Sequence, residues 1–294
     1  MKKLLSTLCL LALTTGMFAQ DRVFTISKMN YKTNEDVEIA KERVKAEIDK
    51  NKELSALQRS IAKKMAGSIV KRAYKQAEEN RYGFGFPDGD FTQYAYWDIA
   101  NNRSAILCPE LGRITINDWK EGQSIVAFPK LKIAMVLKFK PELAIQQGQQ
   151  DIKTMFQVKN IPDGVALTDV EGFPAIENLI FGEIEEGQTP ERTIVIDGKT
   201  MEAIPIPGHL LAKNEKEYYF GIYVDGETNS PTYSMTALLQ EFKECNIDEA
   251  NFVLPEGYKI VKDVKALNKA ILKANKGEGL AIPAPDKMPE VIWQ

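Results

Sequence analysis

One histidine, His209, stands in 294 residues, behind Pro205, Pro207 and Gly208. A single imidazole leaves most zinc sites and most nucleophile–base triads short of members. Cys108 with His209 is the nucleophile–base pair that remains, and the prolines and glycine assign His209 to a loop. Asp88 with Asp90, and Glu183 with Glu185 and Glu186, offer oxygen ligands for calcium. They lack the spaced ligands of a calcium loop and are expected in solvated turns. Paired carboxylates for sugar hydrolysis carry no local signature, because the fold sets their separation. With no metal, nucleophile or phosphate motif, the chain is expected to bind rather than catalyse, and no cofactor is expected.

The stretch RYGFGFPDGDF, residues 81–91, suggests a second chemistry. Aromatic side chains between glycines resemble the base-stacking strand of RNA-recognition modules. Such a strand wants a basic residue beside the first glycine and a hydrophobic β-former after the last phenylalanine. Here Tyr82 separates Arg81 from Gly83, and Pro87 takes the place of the β-former. Proline cannot donate to a sheet ladder, so a central strand would break there. Pro87-Asp88-Gly89 signals a turn. The stretch is expected to be an apolar seam between a helix and a sheet. The glycines do not follow a strand, which argues against a dinucleotide loop.

Charge agrees with the absence of a nucleic-acid partner: 38 Lys and Arg against 41 Asp and Glu give a formal net charge of -3, whereas a phosphate-binding domain carries a basic face. Residues 1–19 combine Lys2 and Lys3, an apolar run over 4–13 and small residues before Asp21. This is the pattern of a secretory signal peptide, cut after Ala19 or Gly16. The run is shorter than the roughly 20 residues that span a bilayer, and Cys9 lies inside it, where a lipidated cysteine would follow it. The expectation is a periplasmic or extracellular protein that is not an integral membrane protein. Cys108 and Cys245 then offer one disulfide connectivity.

The elements that must position any site follow from periodicity. Residues 20–80 read as a helical region, with a helix beginning near Thr33-Asn34-Glu35-Asp36. Val37, Ala40, Val44 and Ile48 share one face, the pattern breaks at Lys50-Asn51-Lys52, and Leu54, Leu57, Ile61, Met65 and Ile69 resume it. The exposed face carries Arg59, Lys63, Lys64, Lys71, Arg72 and Lys75 and reads as solvated. Residues 81–261 read as an antiparallel sheet domain. Strands at 94–99 and 103–108 turn at Asn101-Asn102, those at 113–119 and 123–128 turn at Lys120-Glu121-Gly122, and 131–139 alternates with one buried face. Asp197-Gly198 marks another hairpin, and one more turns at Asn214. Residues 235–243 read as a short helix, 251–261 as strand, and 262–294 as a terminal helix with a poorly ordered tail containing Pro283, Pro285 and Pro289.

Tyr96-Trp97-Asp98-Ile99-Ala100-Asn101-Asn102-Arg103, residues 114–122 and Phe128-Pro129-Lys130-Leu131-Lys132 resemble the opening strands of LolA-like envelope proteins. Asp197-Gly198-Lys199, residues 218–225 and Phe252-Val253-Leu254-Pro255-Glu256-Gly257-Tyr258 are similar to the later strands of that superfamily and of related uncharacterised envelope proteins. The resemblance covers about half of the chain. It implies an α+β fold: an N-terminal helical segment, a curved antiparallel half-barrel and a C-terminal helix, with acyl chains held inside.

These lines give a noncatalytic envelope protein that binds a lipid or other apolar molecule on the concave face of its sheet. The expected lining is Trp97, Ile99, Phe128, Met135, Leu137, Phe220 and Ile222, the same residues that an ordinary core would use. The alternative is an interaction module that uses its helix and sheet edges to bind another envelope protein, and a hydrolase comes third.

Overall fold

The computed structural model describes residues 22–80, 83, 85–141, 159–162, 192–206, 209–214, 217–220, 226–230, 232–275, 279–285 and 291–293. Residues 1–21, which include the stretch expected to be a signal peptide, most of 142–191, and Arg81, Tyr82, Phe84 and Ile222 lie outside these residues. The protein is mixed α+β, built on one large, open, curved sheet.

The first described residues correct the expected helical region. Residues Arg22–Thr33 form a strand, β1. It pairs antiparallel with β2 (Gly89–Asp98) on one side and with β13 (Tyr233–Glu244) on the other. Val23, Phe24 and Thr25 are buried in succession, so both faces are covered at the start of the strand and the period-two signal is lost there, while from Ser27 to Lys32 buried or half-buried residues alternate with exposed ones.

From β2 the chain runs by short connections through β3 (Arg103–Cys108), β4 (Arg113–Asp118), β5 (Gln123–Phe128) and β6 (Ile133–Lys138). Two of the corners share one device. Pro109–Leu111 and Pro129–Leu131 each form a 3-10 turn with proline at its start, followed by a left-handed residue, Gly112 (φ 55°) or Lys132 (φ 50°). The second turn delays the start of the expected strand 131–139 to Ile133, and β6 runs to Lys138.

The other half of the sheet contains β7 (Lys159–Pro162), β8 (Arg192–Ile196), β9 (Lys199–Ile206), β10 (His209–Lys213), β11 (Glu217–Phe220) and β12 (Gly226–Asn229). With β14 (Lys259–Ile260), the described order is β14-β6-β5-β4-β3-β2-β1-β13-β8-β9-β10-β11-β7, and β12 also pairs with β13. The β13–β8 and β14–β6 pairs are parallel. Asp197-Gly198 turns β8 into β9, and His209 stands on β10 rather than in a loop.

Residues 235–243, expected as a helix, belong to β13. The register against β1 shifts between Ile26 and Ser27, which places Glu241 and Leu239 opposite consecutive residues. The extra residue, Gln240, brings Leu239 and Phe242 to one face. Their three-residue spacing imitates a helix, and Met, Ala, Leu and Gln are good helix formers. Pairing on both sides outweighs that local preference.

Partners across a ladder share a face, so the register sorts the core. Phe24, Tyr96, Ala105, Ile116 and Ile125 lie on one face, packed against Ile247, Phe252, Ile292 and Trp293. Residues 251–261, expected as strand, form a 3-10 turn at Glu249–Phe252 and only the two-residue β14. The tail expected to be loose is docked: Ile282 N donates to Pro109 O at 2.9 Å, Ile292 N to Asn251 Oδ1 at 2.6 Å and Trp293 Nε1 to Ala250 O at 3.0 Å. A Cβ on Gly112 would sit 1.7 Å from Leu280 O, so the tail uses the space that this glycine leaves.

Helices occupy the opposite face: α1 (Val37–Lys50), α2 (Ala56–Asn80) and α3 (Val264–Asn275). Asp36 caps α1 by accepting from Glu38 N and Ile39 N. Ser55 and Gln58 form a reciprocal capping box at the start of α2. Leu267 and Ile271 of α3 pack on Val126, Phe128, Ile133 and Met135.

A pair of substitutions on β6 tests which face is filled. Met135 is 2 % exposed and Leu137 is 37 % exposed. Met135→Glu buries a charge without a partner, at a cost of several kcal/mol against a typical domain stability of about 5–15 kcal/mol. Urea unfolding should show early melting or no folded protein. Leu137→Glu should move the midpoint by no more than about 0.5 kcal/mol equivalent. A Met135→Glu protein as stable as the parent would show that the packing against α3 is wrong.

Candidate functional site

A cleft of about 1200 Å³ opens on the helix face. It lies where β1 ends and α1 begins, and three segments distant in sequence wall it. Tyr31 of β1 stacks on Tyr233 of β13, with ring centroids 5.4 Å apart and planes at 19°. Phe86 of the seam lies 6.3 Å from Tyr31 and 5.6 Å from Phe91. Opposite these rings, α1 contributes Val37 and Ile39 and the later turns of α2 contribute Ala73 and Ala77. The cleft is thus mainly aromatic and aliphatic, and Lys71 and Lys75 also border it.

The seam is held by polar anchors on both sides. Asp88 Oδ1 accepts from Thr33 N at 3.0 Å and from Thr33 Oγ1 at 2.6 Å, and Asp90 Oδ1 accepts from Asn30 Nδ2 at 2.7 Å. The two carboxylates weighed as calcium ligands therefore fasten the start of β2 to β1. Among the described residues, no three His, Cys, Asp or Glu side chains converge on one point. Glu183, Glu185 and Glu186 lie outside the described residues. From the sheet side, Arg113 Nη1 donates to Gly83 O at 3.1 Å and Gly85 O at 2.9 Å, and its guanidinium stands 5.0 Å from the centre of the Phe86 ring. The described part of the stretch, Gly83 and residues 85–91, lies between α2 and β2, with Phe86 built into the aromatic cluster.

A buried carboxylate lies at the base of the cleft. Glu35 is 4 % exposed. Arg43 of α1 grips it with Nε at 3.1 Å and Nη2 at 2.8 Å, and Tyr74 of α2 donates to it at 2.7 Å. The Arg43 hydrogen bonds hold the Glu35 carboxyl below its ordinary value against the opposing effect of burial, and Tyr74 adds to them. Burial, with the Glu35 hydrogen bond, pushes the Tyr74 phenol up to about 12. At neutral pH Glu35 is charged with both oxygens engaged and Tyr74 is protonated. The triad joins the two helices at the end of β1. Its signal in sequence was weak, because Glu35 read as part of a helix cap.

The residues expected to line a ligand site are placed differently. Trp97 and Ile99 belong to a packed cluster with Val23, Ile196 and Phe242, and Trp97 Nε1 donates to Thr25 Oγ1 at 2.9 Å. Phe128 and Met135 are sealed under α3. Leu137 is exposed at the end of β6, Phe220 stands on β11, and Ile222 lies outside the described residues. None of Trp97, Ile99, Phe128, Met135 and Leu137 borders the cleft. Cys108 and Cys245 are both free thiols. Cys108 packs with Met29 and Phe91 on the helix face and Cys245 with the Tyr96 cluster on the other, so the sheet separates them and the expected disulfide is not formed.

The lowered Glu35 value fixes a pH dependence. A carboxyl held lower in the folded than in the unfolded state contributes fully above its unfolded value and loses that contribution as pH falls through its folded value. Thermal melting followed from pH 7 to pH 3 should therefore lose part of its stability below the ordinary value of about 4.5. Glu35→Gln should melt earlier at pH 7 and lose less on acidification. Equal slopes for parent and variant would remove Glu35 from the linkage.

No known family model matches the chain, and no curated protein matches it in sequence. The functional reading is carried by geometry alone.

Proposed function

We propose that this is an exported, noncatalytic protein that holds a lipid or similar apolar molecule in the cleft between the α1–α2 pair and the aromatic end of the sheet. The supporting observation is the cleft itself. Its volume of about 1200 Å³ exceeds the several hundred needed for a small ligand, and its walls are the Tyr31, Tyr233 and Phe86 rings and the aliphatic side of the helices. Glu35, with both oxygens bonded, suits a framework role better than proton transfer. Compared with the lining expected from sequence, the ligand position moves from mid-sheet to the end of β1. The LolA-like resemblance is compatible with this reading. Among the described residues no helix is long and apolar enough to cross a membrane.

A second reading, an interaction module, draws on a different observation. Leu57, Ile61, Met65 and Ile69, expected to be the buried stripe of α2, are 71 %, 50 %, 56 % and 59 % exposed, while Ala66 and Val70 face inward. Such a row of exposed apolar side chains marks an interaction surface.

Displacement of a fluorescent fatty acid separates the two. Ala73→Trp fills the cleft from an exposed helix position and should weaken uptake at least about tenfold at an unchanged melting temperature. Ile61→Asp with Met65→Asp should leave uptake intact. If the parent shows no saturable uptake, the lipid reading falls. If only the α2 double variant loses an in-cell cross-link to another envelope protein, the interaction reading takes its place.

A further inference from the structure

A second cavity, of about 210 Å³, lies on the helix face of β2 to β5 and is separate from the cleft. Its lining includes Gln93, Ile106, Cys108, Arg113, Thr115 and Val126. Arg113 is the unusual member. Its side chain is buried, 6 % exposed, and no carboxylate pairs with it among the described residues. Nη1 is used by the carbonyls of Gly83 and Gly85, while Nε and Nη2 donate to nothing among the described residues. Burial of a guanidinium without an opposing charge is costly, and two carbonyls and the Phe86 ring offset only part of that cost.

The surroundings are arranged to receive an anion. Gln93 and Thr115 border the same cavity, and neither side chain has a hydrogen-bond partner among the described residues. The register places Thr115 two residues from Arg113 on the same face of β4, with Cys108 directly opposite Arg113. Burial raises the Cys108 thiol to about 12, so it stays protonated and adds no negative charge. Ser124 is already spent on Asn117 Oδ1 at 2.8 Å. The remaining wall, Ile106 and Val126, is aliphatic.

We propose that this cavity is a binding site for a small organic carboxylate, whose two oxygens take the free edge of the Arg113 guanidinium and the Gln93 and Thr115 donors while its short aliphatic part rests on Ile106 and Val126. A planar carboxylate matches the guanidinium fork in a way that a single-point anion does not. The volume admits a few carbons beyond the carboxylate and excludes a long acyl chain. This site is therefore independent of the cleft, and either reading can fail without the other.

The test is isothermal titration of the purified chain, in chloride buffer, with propionate, the neutral isostere propionamide, and inorganic phosphate. Propionate should bind saturably and raise the melting temperature, and propionamide should not. Thr115→Val and Gln93→Leu leave the Gly83 and Gly85 clamp untouched. Each should weaken propionate about tenfold, the usual effect of removing a hydrogen bond to a charged group, and Arg113→Met should abolish binding. Parent protein that takes up no propionate, or takes up propionamide equally well, would overturn the site. Tighter binding of phosphate than of propionate would overturn the carboxylate assignment. Unchanged affinity in both the Thr115→Val and Gln93→Leu proteins would place any bound propionate elsewhere.

Discussion

The double ladder of β1 is the constraint on which the rest of the molecule depends. Its pairing with β2 and β13 joins the beginning of the described chain to a strand more than two hundred residues later. Closing so long a loop costs chain entropy before any contact offsets it. The return is a strand paired on both sides at the centre of the sheet, with Val23, Phe24 and Thr25 buried on both faces. The cleft and the smaller cavity both depend on it. The last residues of β1 deliver Tyr31 to the aromatic cluster and Glu35 to the helix pair, and Met29 packs with Phe91 and Cys108 beside the smaller cavity.

The two faces of the sheet are filled by different means, which explains where open volume remains. On one face the C-terminal residues lie directly on the strands and close the core with Phe252, Ile292 and Trp293. On the other, α3 seals the β5–β6 side, and α1 and α2, packed on each other, bury small or medium residues, Ala40, Ala66 and Val70. The helix pair, held by a hydrogen-bonded triad at the end of β1, leaves a gap beside the rings of Tyr31, Phe86 and Tyr233. The cleft is a consequence of that asymmetry.

Two buried charges show contrasting solutions to one problem. Asp98 is fully buried, yet Asn101 donates to both its oxygens and Arg103 to Oδ2, and Glu249 reaches Arg103 and Arg22 from the other side. Burial pushes the Asp98 carboxyl up, and the Asn101 and Arg103 hydrogen bonds outweigh it and hold it below its ordinary value. That network fastens the turn at Glu249 to the end of β2, with Arg103 also lying 4.2 Å over the Phe252 ring. Arg113 has no such network among the described residues. Its Nε and Nη2 edge borders the smaller cavity, a combination that a purely structural arginine does not require.

Local chemistry determined what the sequence alone could state. Asn101-Asn102, Lys120-Glu121-Gly122 and Asp197-Gly198 each specify a reversal within a few residues, and the hairpins form there. The mixed α+β class with a large curved sheet, and the seam character of the aromatic-glycine stretch with its misplaced proline, were legible for the same reason. Tertiary structure decided everything that depends on a distant partner. At the start of β1 Val23, Phe24 and Thr25 are covered on both faces, which hides the alternation there, and β13 imitated a helix because a bulge reset its period. The tail read as loose because its prolines are local signals, while the site that receives it is made by Gly112, Asn251 and Ala250. Met135 and Leu137 share a face by alternation, yet only α3 determines that one is core and the other exposed. The cleft and the Arg113 cavity could not be read at all, since each joins segments that no spacing along the chain relates.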